Sequence, residues 1–99
     1  LWANAGVGAP GGLLTMDRST LDWLYAVNVG GMLNLLRPVV PAMVEAGGAR
    51  RVGLTASISG LTRVAPYAAA YGATKHAVVG IGEALRAELD GTKVSVTIG

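Results

Sequence analysis

Hydrophobic residues fall along this chain in two alternating rhythms. Val52-Gly53-Leu54-Thr55-Ala56 is nearly continuously apolar, whereas Val94 to Ile98 alternates apolar with polar. Both read as strands, the first buried on both faces of a parallel sheet and the second nearer a sheet edge. The first is placed over about Arg51 to Ala56. Leu1-Trp2-Ala3 has the character of the last residues of a further strand. Between these runs the spacing changes to three and four residues. Leu21, Leu24, Asn28, Gly31 and Leu35 recur so as to share one helical face, with Asn28 as its polar exception. Ser19 is placed to cap the start of that helix, with Asp22 three residues on in a capping-box-like arrangement. Pro38 and Pro41 are expected to kink or split it, because each lacks a backbone donor and crowds the turn before it. Gly47-Gly48 is expected to end it.

A second helix is expected over about Ala69 to Asp90, stopped by Gly91. Its residues sort into three stripes. Tyr71, Lys75, Val78, Gly82, Leu85 and Leu89 share one face. His76, Val79, Glu83, Arg86 and Asp90 form a more solvated one. Ala73, Ala77, Gly80, Ala84 and Ala87, all small, form a third, shallow enough for a second helix to approach closely. That stripe is expected to be buried against a helix, either the one around Leu24 to Leu36 or one from a second copy. The order strand–helix–strand–helix–strand implies an α/β fold with parallel strands and right-handed crossovers.

Ninety-nine residues suffice for one small domain and not for two. The absence of cysteine excludes a disulfide framework and cysteine–histidine zinc sites, and fits a reducing, cytoplasmic setting. Mean hydropathy is positive, yet Leu1 to Met16, the longest charge-free run, contains Pro10 and several glycines. It falls short of the ~20 residues that a membrane span needs. No basic segment precedes it, so a signal peptide is not expected. A formal charge of +2 is too small to argue for nucleic acid, and no aromatic residues interleave with the basic ones. Arg50-Arg51 reads as a solvated turn.

Candidate chemistry centres on Tyr71-Gly72-Ala73-Thr74-Lys75. Tyr71 and Lys75 fall at i and i+4 near the start of a helix, on one face and one turn apart. An ammonium beside a phenol stabilises the phenolate, drawing the tyrosine pKa down towards working pH. A tyrosine so tuned can give or take a proton. The same spacing recurs by chance as a packed ring beside a solvated amine. Three further features accompany it: Ser57 where the apolar strand ends, Asn28 inside a helix, and Asn4-Ala5-Gly6 after a strand end.

Taken together, these motifs resemble the short-chain dehydrogenase/reductase family, in its single-domain branch, over essentially the whole chain. The resemblance implies a partial Rossmann-like fold that lacks the N-terminal dinucleotide-binding half. It implies that Tyr71 is the acid/base in hydride-transfer interconversion of a secondary alcohol and a carbonyl. It implies that Lys75 lowers the tyrosine pKa and holds the nicotinamide ribose hydroxyls, and that Ser57 donates a hydrogen bond to the substrate oxygen. Asn28 would hold a water relay to the lysine, and its plainer role is a structural tie between backbone segments. Asn4, Ala5 and Gly6 would border the cofactor, NAD or NADP. A small-molecule alcohol or carbonyl is the implied substrate, and a homodimer or homotetramer through the two long helices the implied assembly. In the family pattern the catalytic serine lies three residues before a glycine, so Gly60 selects Ser57 over Ser59.

Departures from the pattern qualify this reading. Ala3 stands where the family usually has an asparagine. The family's N-terminal strand–glycine-loop–helix, and the residue that selects NAD or NADP, are not in this sequence. Gly6-Val7-Gly8-Ala9-Pro10-Gly11 satisfies G-x-G-x-x-G literally, but Pro10 and Gly12 oppose an immediate helix and no acidic residue follows about 20 residues on. It is read as a decoy. A serine hydrolase fails on spacing: no glycine lies two before Ser59, and His76 precedes Asp90, reversing that fold's order. His76 reads as an ordinary surface residue. Two classes stand, a catalytic reductase segment whose isolated 99 residues are expected to be inactive, and a truncated non-catalytic dimerisation or binding module of the same fold.

Overall fold

The computed structural model describes residues 1–4, 6–8, 11–12, 14–55 and 69–99. Arg50–Leu54 (β2) lies between Trp2–Ala3 (β1) and Val94–Ile98 (β3) in a parallel sheet of order β1-β2-β3. Trp2 pairs with Gly53, and the β2–β3 register runs from Arg50 opposite Val94 to Leu54 opposite Ile98. Parallel pairing follows from the helices that occupy each crossover. Val52 and Leu54 are wholly buried, and Val94 and Val96 nearly so. They face the helices. On the opposite side the Trp2 ring lies against Gly53, where only a residue without a side chain leaves room, and its indole N–H donates to Thr55 Oγ1 at 2.9 Å.

The first helical stretch has three parts: Arg18–Tyr25 (α1), a π-helical turn at Ala26–Gly30, and Gly31–Ala46 (α2). Leu24 and Asn28 are buried as expected, but the next inward residues are Met32, Leu36 and Val40, with Gly31 and Leu35 exposed. The π turn takes up one extra residue. Every inward position beyond it therefore slips by one. Capping differs as well: Asp17, not Ser19, stands at the N-cap, and its side chain makes no capping bond. Asp22 instead pairs with Arg18 at 2.9 Å.

Pro38 and Pro41 sit inside α2, which continues through both rather than splitting. Both rings lie on the exposed side, as do Asn34 and Arg37, whose carbonyls lose a partner to the prolines. Water can satisfy those carbonyls, while Leu36 and Val40 hold the opposite face in the core. Gly47 and Gly48 end the helix with φ of +73° and +78°. Arg50 and Arg51 open β2 rather than forming a turn, although both stay exposed. The strand thus starts one residue earlier than expected and ends at Leu54.

The last helix, Ala69–Glu88 (α3), presents Lys75, Val78 and Gly82 inward. A Cβ on Gly82 would come within 2.7 Å of Ile98 Cγ1 and 3.2 Å of Leu54 Cδ1. Glycine there lets α3 settle directly on β2 and β3. His76, Glu83, Arg86 and Asp90 are exposed and Val79 half-buried, as the periodicity predicts. A turn at Gly91, φ +85°, leads into β3.

The small stripe meets only part of its expectation. Ala73, Gly80, Ala84 and Ala87 are exposed and Ala77 half-buried, so among the described residues no helix covers it, and a helix from a second copy is the alternative that stands. Thr74 is the residue that α3 turns towards the π turn, where it meets Asn28. Arg18–Ala46 is long and apolar enough to cross a membrane by length and composition. Leu24, Asn28, Met32, Leu36 and Val40 are its buried residues, the last three in the hydrophobic core.

Candidate active site

At the end of β1 the chain turns into a loop whose residues 6–8 run beneath α3. Lys75, only 4% exposed, directs its ammonium at this loop. A Cβ at Gly6 would lie 2.8 Å from Lys75 Nζ, so this position tolerates no side chain without displacing the lysine. A Cβ at Gly8 would lie 3.4 Å from the Tyr71 ring. Two glycines of the motif read as a decoy thus face the tyrosine and the lysine. Among the described residues the motif opens no helix, α1 beginning at Arg18.

Tyr71 and Lys75 share one face of α3, one turn apart, with the ammonium 5.7 Å from the ring centroid. At that distance the cation lies within reach of the ring's negative face. Among the described residues the one ion pair is the exposed Arg18–Asp22, so none of their carboxylates lies within 4.0 Å of the Lys75 ammonium.

Asn28 fixes the loop against this face. Its Oδ1 accepts from the Val7 N–H at 2.7 Å, and its Nδ2 donates to the Val7 carbonyl at 2.8 Å. The second Nδ2 hydrogen goes to Thr74 Oγ1 at 2.9 Å. With one donor and one acceptor offered by the same backbone residue, the amide orientation is determined by its partners. Asn28 is 1% exposed and every polar atom of its side chain is used, as a buried amide requires. The structural tie expected of it is therefore present. Thr74, fully buried, completes the link by donating to the Tyr71 carbonyl at 2.7 Å.

Asn4 accepts from Thr55 Oγ1 at 2.6 Å, bridging the ends of β1 and β2. That bond braces the sheet at its exposed C-terminal edge, where ligands of open α/β sheets bind. His76 stays on the surface, its Nδ1 2.8 Å from the Gly72 carbonyl. Of the sequence-derived set, Asn28, Tyr71, Lys75, Gly6 and Asn4 are thus brought to one end of the sheet. Ala5, Ser57, Ser59 and Gly60 lie outside the described residues. Thr74, Val7 and Gly8 were missed. Only Thr74 carried a usable signal, a hydroxyl at i+3 from Tyr71 on the buried side of an alanine-rich helix.

The short chain dehydrogenase family model matches residues 1–98. The chain belongs to that family. It is 37% identical over 98 residues to the uncharacterized oxidoreductase YbbO of Escherichia coli, covering 97% of this chain and 36% of that protein. It is 34% identical over 97 residues to the 1-deoxy-11-beta-hydroxypentalenate dehydrogenase of Streptomyces avermitilis, covering 96% and 36%. Among solved structures, a Burkholderia phymatum short chain dehydrogenase/reductase in complex with NAD superposes with a TM-score of 0.93 at 35% identity. That match covers 98% of this chain and 35% of the other. The chain spans about a third of the length of the relatives it matches.

Proposed function

We propose that this segment is the proton-handling and ribose-binding part of an NAD- or NADP-dependent oxidoreductase that interconverts a secondary alcohol and a carbonyl. The observation that carries the proposal is the Tyr71–Lys75 face, held against the Gly6–Gly8 loop with no described carboxylate paired to the buried ammonium. An ammonium, with three donors and no acceptor, suits hydroxyl oxygens as partners. The residues therefore fit a dinucleotide ribose, with Lys75 and Tyr71 as its contacts and Asn4, Ala5 and Gly6 along the border. When bound, the nicotinamide supplies the hydride chemistry, and the protein supplies position and electrostatics.

In this reading the Tyr71 hydroxyl gives its proton to the carbonyl oxygen in reduction and takes it from the alcohol in oxidation. The Lys75 ammonium stabilises the phenolate left behind. Ser57 donates a hydrogen bond to the same substrate oxygen as charge develops there. Asn28 carries the water relay towards Lys75 through its backbone carbonyl, its side chain being committed to Val7 and Thr74. Transfer of deuterium from a dinucleotide labelled at the reactive nicotinamide carbon tests the reaction class in the full-length protein. Label at the carbinol carbon of the product is the expected result, and turnover without label transfer contradicts it.

The same reading gives the open side of α2 and α3 to a second copy of the chain. A groove of about 690 Å³ runs between them, lined by Leu33, Leu36, Val40, Val44, Ile81 and Leu85. Its rim carries both signs, Arg37 with Glu45 and Glu88, which a two-fold pairing can match. Ala84 borders both the groove and the small stripe. Ala84→Glu should halve the mass measured by light scattering in the full-length protein, while Glu83→Ala should leave it unchanged. An unaltered mass in Ala84→Glu contradicts the assignment.

A further inference from the structure

We propose that Thr74 is a positioning residue, whose hydroxyl transmits the Asn28 tie to the helical turn that carries Tyr71 and Lys75. The inference rests on the reading of Tyr71 and Lys75 given above.

A threonine that bonds back to the carbonyl three residues earlier is common in helices and by itself means little. The difference here is the second bond on the same oxygen. Thr74 Oγ1 accepts from Asn28 Nδ2 at 2.9 Å and donates to the Tyr71 carbonyl at 2.7 Å. Since the other Asn28 hydrogen and its oxygen are already committed to Val7, the bond to Thr74 has a fixed direction. A continuous path results: Val7 backbone, Asn28 amide, Thr74 hydroxyl, Tyr71 carbonyl. It joins the loop that faces Lys75 and Tyr71 to the very turn that bears them, with Asn28 and Thr74 buried and the Val7 and Tyr71 ends half-buried.

The Thr74 hydroxyl both accepts and donates at this point. Alanine and valine can do neither, and a cysteine thiol does both weakly. With the hydroxyl removed, one Asn28 hydrogen loses its buried partner and the α3 turn loses its only side-chain tether to the loop among the described residues. Lys75 and Tyr71 can then rotate or slide relative to residues 6–8. Small misplacements of that kind cost catalysis disproportionately, because the reacting groups depend on ångström-scale alignment. The β-methyl of Thr74 is not part of the link, which predicts that serine can substitute.

The test uses the full-length protein and its dinucleotide-dependent turnover. Thr74→Val, nearly isosteric, should lower kcat about tenfold or more, with a changed pH profile of kcat, in protein that is folded by circular dichroism. Thr74→Ser should keep kcat within about twofold and keep the wild-type pH profile. A folded Thr74→Val enzyme with wild-type kcat and pH profile overturns the proposal, whatever its melting temperature. If Thr74→Val does not fold, Thr74→Ser decides alone. Wild-type turnover there supports the hydroxyl link, and a tenfold loss in a folded serine variant overturns it. Tyr71→Phe, run in parallel, separates the two levels: an active Tyr71→Phe removes the reading on which the proposal rests, whereas an inactive Tyr71→Phe beside a fully active Thr74→Val removes only the role of Thr74.

Discussion

Tyr71→Phe in the full-length protein should lower turnover by about 10²- to 10⁴-fold, the range that a positioned acid/base supplies. Dinucleotide affinity should stay within a few-fold. The substitution removes one oxygen and leaves the ring that packs against Gly8. Stability should therefore change little, and the loss should sit almost entirely in kcat. Steady-state kinetics beside a calorimetric dinucleotide titration make the distinction. Retained turnover in Tyr71→Phe would sink the mechanism.

Lys75→Ala should behave differently, because one side chain is asked to serve two steps. It should weaken dinucleotide binding and lower kcat together. A hydrogen bond to a charged group contributes about 1.5–3 kcal/mol. At ~1.4 kcal/mol per factor of ten, that corresponds to roughly a 10- to 100-fold rise in dissociation constant. Gly6 sharpens the test. Its missing side chain leaves the space that Lys75 Nζ fills, and Lys75→Ala empties it. Gly6→Ala should therefore be tolerated better in the Lys75→Ala background than in the wild type, a coupling that a double-mutant cycle measures. A Lys75→Ala enzyme that binds dinucleotide as tightly as the wild type contradicts the ribose-binding role.

Much of this arrangement was legible in the sequence, and the exceptions share a cause. The apolar run at β2, the alternation at Val94–Ile98 and the i,i+4 pair on α3 are local signals, and each falls where it was expected. The order of elements then required parallel strands. The inward face of α2 was not legible beyond Asn28, because an ideal period cannot anticipate the extra residue of the π turn at Ala26–Gly30. Gly30 and Gly31 weaken the helix there, but nothing local says that it widens rather than breaks. Pro38 and Pro41 misled for the opposite reason. Their cost was read without the tertiary packing of Leu36 and Val40 that holds α2 together.

The site shows the same division. Tyr71, Lys75 and Asn28 could be picked out by residue type and spacing. The partnership of Asn28 with the Val7 backbone spans 21 positions, and its bond to Thr74 spans 46. No local pattern encodes such pairs. The Gly6–Gly11 motif was read as a decoy, whereas Gly6 and Gly8 lie where a Cβ would meet the Lys75 and Tyr71 side chains of α3. Family membership is established over residues 1–98, and it leaves the chemistry of the whole protein to be shown by experiment.

The most direct measurement is a crystal structure of the full-length protein grown with NAD or NADP. The account predicts a dinucleotide whose nicotinamide ribose hydroxyls lie within hydrogen-bonding distance of Lys75 Nζ, with the Tyr71 hydroxyl turned towards the substrate side of the nicotinamide. A dinucleotide bound with its ribose away from Lys75, or none bound at millimolar concentration, would contradict it.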